Sequence, residues 1–148
     1  METKQTGWVI IIVMAVTMLF FAGFSLWGGI SAKESLTMVL LIPLLIIPLL
    51  LFYQLKILVN YSEVKISFGV GLIRKSWELK KIEKASIVKN NIFHGWGIHY
   101  MLNTIIYNVN GFQAVELTFK NSKRKVRIGT NEPVKVAETI NRIIAKNL

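Results

Sequence analysis

Two patterns of hydrophobic and polar positions divide the chain. From Trp8 to Trp27 it reads WVIIIVMAVTMLFFAGFSLW without a charge, and at about 1.5 Å per residue such a run matches a hydrocarbon core of about 30 Å. This predicts a transmembrane helix over 8–27, with a Trp at each end suited to the interfacial belt, where an apolar ring with a polar N–H is favoured. The short GGISAKES follows at 28–35, and 36–55 is again uncharged. A second transmembrane helix is predicted there, kinked at Pro43 and Pro48 and packed against the first. Neither run contains Asp, Glu, Lys, Arg or His, which argues against a transport path through them.

After Lys56 the continuous runs give way to alternation. Val64, Ile66 and Phe68 face one way and Lys65 and Ser67 the other, the pattern of a half-buried strand. Gly69-Val70-Gly71 permits a turn into Leu72–Leu79, and shorter candidates follow at Ala85–Val88, Ile98–Met101 and Ile105–Val109 before the turn dipeptide Asn110-Gly111. The clearest hairpin comes next. Val115, Leu117 and Phe119 alternate with Glu116, Thr118 and Lys120, and the return strand turns Val126 and Ile128 inward with Lys125 and Arg127 outward. Thr130 or Asn131 can cap a closing helix that begins near Glu132-Pro133 and runs to about Lys146, with Val136, Ile140, Ile143 and Ile144 at helical spacing. The expected fold is an integral membrane protein in which two N-terminal helices precede an α+β domain, residues 56–148, of about seven antiparallel strands in a small barrel or sandwich closed by one helix.

Charge then assigns sides. The chain has 148 residues with 18 Lys and Arg against 8 acidic residues, all of them Glu, and no Cys. Residues 1–55 are balanced by Lys4 and Lys33 against Glu2 and Glu34, so the formal +10 belongs to the rest. Cations close after a span favour the cytoplasmic side. The expectation is a multi-pass protein of the cell membrane, with residues 1–7 and the terminal domain cytoplasmic and 28–35 extracytoplasmic. One small domain leaves no room for a large multidomain enzyme. The absence of Asp and Cys removes a Ser-His-Asp relay, a disulfide framework and a thiolate zinc site. His94 and His99 are the only histidines and have no carboxylate between them, so no metal, cofactor or catalytic residue is assigned.

The basic residues carry the remaining signal. Arg74, Lys75, Lys80, Lys81, Lys84 and Lys89 form one set, and Lys120, Lys123, Arg124, Lys125 and Arg127 another. The candidate contacts to an anionic surface are Lys123, Arg124, Lys125 and Arg127, then Arg74, Lys75, Lys80 and Lys81. Held near an anionic leaflet, each such cation gains about 1 kcal/mol. Anionic lipid headgroups or a protein partner are the expected contacts. Nucleic acid is not expected, because the runs lack interleaved exposed aromatics that would stack on bases.

The stretch from Gly95 to Ile140, reading GWGIHYMLNTIIYNVNGFQAVELTFKNSKRKVRIGTNEPVKVAETI, resembles a bacterial pleckstrin-homology-like family of small membrane proteins. Its members carry GWGIR, YNVSG before AVEL, and RIGTDEP before the last helix. His99, Asn110 and Asn131 depart from that pattern, where it has Arg, Ser and Asp. The resemblance implies a non-enzymatic membrane-anchored binding or scaffolding domain. It also implies an alternative, since some such proteins are associated with self-immunity against leaderless bacteriocins. A third reading is an accessory subunit of a larger membrane complex.

Overall fold

A computed structural model of the chain describes residues 1–28, 43–91 and 96–146, with side chains of the first segment described through Phe24. Two sheets form its body. The first has the order β1-β2-β3-β4, all antiparallel, from β1 (Glu2–Thr6), β2 (Gln54–Val59), β3 (Glu63–Phe68) and β4 (Ile73–Glu78). A 3-10 turn at Leu79–Lys81 leads to the second sheet, ordered β5-β8-β9-β7-β6. Its strands are β5 (Ile82–Lys89), β6 (Gly97–Met101), β7 (Thr104–Asn108), β8 (Gln113–Phe119) and β9 (Ser122–Gly129).

Alternation explains the core. Leu55, Ile57 and Val59 of β2 and Val64, Ile66 and Phe68 of β3 are buried, and Val115, Leu117, Val126 and Ile128 meet them from the second sheet. The closing helix, α3 (Pro133–Lys146), buries Val136, Ala137, Ile140 and Ile143 against this body. The Thr130 hydroxyl accepts from the Glu132 N–H at 3.1 Å, just ahead of the first helical turn. The hairpin and the helix thus lie where the hydrophobic pattern put them.

Other features differ. Nine strands are present among the described residues rather than about seven, and β7 runs parallel to β9. The N-terminal residues are not a tail. Glu2–Thr6 pairs along β2, and Gln5 donates its amide to the Asn110 carbonyl at 2.7 Å and to Asn131 Oδ1 at 3.1 Å, tying the first strand to the loops of the second sheet. Gly129 lies beside the same amides. A Cβ there would collide with the Asn108 side chain and crowd Gln5 Oε1, so this close approach requires glycine.

The two-span expectation is corrected. Among the described residues no helix is long and apolar enough to cross a membrane. The first helix, α1, runs Trp8–Gly28. The second run is described as helical only over 43–52, designated α2, and by Gln54 the chain has entered β2. Leu55, the last residue of the expected second span, is a fully buried core residue rather than the end of a helix. The multi-pass placement, with both termini cytoplasmic, falls with the spans. The loop 28–35 and the start of the expected second span, 36–42, lie outside the described residues apart from Gly28. α1 itself exposes Trp8, Ile12, Val16, Leu19, Phe20 and Phe24, and a contiguous apolar surface of this kind marks a contact surface.

Candidate anion-binding groove

The eight cations singled out from the sequence fall into three situations. Lys125 and Arg127 flank one carboxylate. Glu116 on β8 stands opposite Arg127 in register, with Lys125 opposite Thr118 on the same face. Lys125 Nζ lies 2.9 Å from Glu116 Oε1 and Arg127 Nε 2.7 Å from Oε2. The Glu116 side chain is only 8% exposed, so the two cations close over it. Burial alone pushes its carboxyl up, but the hydrogen bonds and charges of Lys125 and Arg127 outweigh that and hold it below its ordinary range.

Lys80 and Lys81 share Glu78, with Nζ–oxygen distances of 2.9 and 2.8 Å. This cluster is exposed. The hydrogen bond from Lys81, then that from Lys80, lowers the Glu78 carboxyl to about 2.

The other four lack a carboxylate partner among the described residues. Arg74 donates its Nε to the Gly71 carbonyl at 2.5 Å and borders a recess of about 260 Å³ with Lys56, Lys65 and Ser67. Lys65 there pairs with Glu63 at 3.2 Å. Lys75, Lys123 and Arg124 make no ion pair with any described residue.

The tertiary fold gathers some of these cations around a larger groove of about 800 Å³. Its walls come from Trp77 on β4, the β6–β7 turn from Tyr100 to Ile105, the β8–β9 turn with Phe119, Lys120 and Ser122, and Arg124, Lys125 and Val126 on β9. Lys81 stands at its rim. Thus Lys81, Arg124 and Lys125 converge, whereas Arg74, Lys75, Lys80, Lys123 and Arg127 do not line it. Trp77 is fixed on the inner face by an edge contact with Tyr107, ring centroids 5.6 Å apart. Tyr100 and Leu102 are strongly exposed.

Sequence reading left out Lys120 as a leading contact and missed the aromatic wall entirely. Lys120 belongs to the same basic run as Arg124, so adjacency across the Asn121 turn was the available signal. Tyr100 reaches the cations only through sheet packing, whereas Trp77 stands between Lys75 and Lys80 in the chain and Phe119 directly precedes Lys120. The argument that the basic runs lack interleaved aromatics therefore fails along the chain as well as in space.

The groove offers cationic donors and an apolar floor, and neither Glu nor His is among its lining residues. Among the described residues no three His or Glu side chains gather in a way that could hold a metal ion. His99 Nε2 lies 3.0 Å from the Trp96 carbonyl and donates to it, while His94 lies outside the described residues. No family model, no curated protein and no solved structure matches this chain.

Proposed function

We propose that this protein is a non-enzymatic binding module that takes an anionic, partly apolar ligand in the groove between β4, the β6–β7 turn and the β8–β9 turn. The observation that carries the reading is the convergence of Lys81, Lys120, Arg124 and Lys125 on an apolar and aromatic floor of Trp77, Phe119 and Val126. Lys120 and Arg124 are its primary contacts because no described carboxylate neutralises them. Lys125 contributes less, since Glu116 already holds it. Apolar walls with a few placed polar groups fix orientation, while the cations raise the rate of encounter with an anion. The resemblance of Gly95–Ile140 to the pleckstrin-homology-like family supports a binding framework rather than a catalyst.

The test uses poly-glutamate as a probe on the full-length protein. The double variant Lys120→Glu/Arg124→Glu should bind about tenfold more weakly at low salt. Reversal of Lys84 and Lys89 on β5, which do not line the groove, should leave binding near that of the unaltered protein. Equal losses in the two variants would show that the basic surface acts diffusely and reject the groove as a site.

A further inference from the structure

The geometry points to a specific kind of ligand: an extended acidic peptide that adds to the free edge of β4 and lays its alternate side chains into the groove. The inference rests on the groove being an anion-binding site and goes further by assigning the backbone of β4 a role in recognition. β4 pairs with β3 along one edge, and no described strand pairs with the other. The edge of β5 is treated differently. Asn141 of α3 donates Nδ2 to the Ala85 carbonyl and accepts from the Ala85 N–H, each at 2.9 Å, so a side-chain amide occupies the position that another strand would take.

The open edge also adjoins the groove, because Trp77 belongs to both. A strand laid beside β4 would extend the first sheet, its side chains pointing alternately to the two faces. On the inner face they would meet Trp77 and approach Phe119 and Val126 across the groove. On the outer face they would lie beside Arg74, which shares that face with Ser67 and Lys56 through the strand registers.

Charge selects the occupant. β4 carries Arg74 and Lys75, and Lys120 and Arg124 stand across the groove. A second copy of β4 would bring like charges against these residues, an arrangement that disfavours pairing between edges. An acidic strand meets the opposite sign at Arg74 and Lys75 and across the groove at Lys120 and Arg124, while Glu78 at the end of β4 is already held by Lys80 and Lys81. Anionic lipid or a nucleic acid could use the same cations, but neither needs the backbone N–H and C=O groups of an unpaired edge, which an extended peptide engages directly.

The experiment compares two ligands on the full-length protein: a six-residue peptide alternating Glu and Val, matching the six residues of β4, and the same peptide N-methylated at every residue, which blocks pairing along either of its edges. The unmodified peptide should bind at least about tenfold more tightly, and it should slow amide exchange within Ile73–Glu78. Equal binding of the two peptides, or binding without slowed exchange in β4, overturns strand addition while leaving the groove as an anion site. Failure of both peptides together with poly-glutamate overturns the groove reading as well. Tighter binding of anionic vesicles or of a single-stranded oligonucleotide that displaces the peptide, with no change in β4 exchange, replaces the peptide by that class of partner.

Discussion

At the edge of β5 the backbone of Ala85 is answered on both its donor and its acceptor by Asn141, whereas the edge of β4 meets no described strand beyond β3. The charges beside the two edges differ in the same sense. In the sheet that contains β5, Glu116 is enclosed between Lys125 and Arg127; at the end of β4, Glu78 holds Lys80 and Lys81 in the open. Polar groups withdrawn from water cost free energy unless they are paired, while exposed ones can exchange partners at little cost. The β5 side is therefore built for stability and the β4 side is available for contact.

The largest effect should come from opening the closed edge. Asn141→Ala leaves the Ala85 N–H and carbonyl, both in a part-buried setting, without their partners, and should lower stability by about 2 kcal/mol. Urea unfolding would show a reduced midpoint with an unchanged slope. Ser76→Ala on exposed β4 is the matching control and should change stability by less than about 0.5 kcal/mol. An unchanged midpoint in the Asn141 variant would remove the distinction between the edges.

Glu116 should rank second. Glu116→Gln weakens two charge-assisted hydrogen bonds at a side chain that is 8% exposed and should cost about 1 kcal/mol, because the cations themselves remain partly in water. The pH dependence has a definite sign. A carboxyl held below its ordinary range binds protons more readily in the unfolded chain, so its contribution is present above the unfolded value of about 4.3 and is lost as pH falls through the lower folded value. Acid unfolding curves should steepen in that window for the unaltered protein and less so for Glu116→Gln. Glu78 is shifted in the same direction, to about 2, but its pairs are exposed. In 1 M salt, where the screening length is about 3 Å, the Glu78 part of the response should vanish and the Glu116 part should persist. Loss of the whole response at high salt would place both carboxylates in the same class.

The more stable side was also the more legible. Val115, Leu117, Val126 and Ile128 alternate strictly, and Val136, Ile140 and Ile143 recur at helical spacing, so local pattern and tertiary burial agree for β8, β9 and α3. β1 was invisible because its inward residues are Thr3 and Gln5, whose burial rests on strand pairing and on the amide links to Asn110 and Asn131 rather than on hydrophobicity. The apolar run 36–55 concealed a change of element, since helical residues and the first core residue of β2 are equally hydrophobic and periodicity cannot divide them. The parallel pairing of β7 with β9 depends on a register between separate segments. The groove was half legible for the same reason. Lys120, Arg124 and Lys125 are neighbours in sequence, but Lys81, Trp77 and Tyr100 reach them only across the fold.

The smallest effect, and the one that connects the two sides of the comparison, concerns Glu78. Its partner Lys81 lies on the rim of the groove and Lys80 does not. Glu78→Gln removes the negative charge that competes with an incoming anion for Lys81, without touching the floor. Because the carboxylate is exposed, the unfolding midpoint should move far less than for Glu116→Gln and stay where it is in 1 M salt, yet poly-glutamate should bind about threefold more tightly at low salt, the scale of one freed surface cation. Adding Lys81→Gln to that variant should cancel the gain, which ties the effect to this lysine rather than to net charge. If Glu78→Gln instead lowers stability as Glu116→Gln does, the β4 side is as structural as the β5 side. If affinity rises but survives loss of Lys81, the ligand senses the overall positive field and not the rim of the groove.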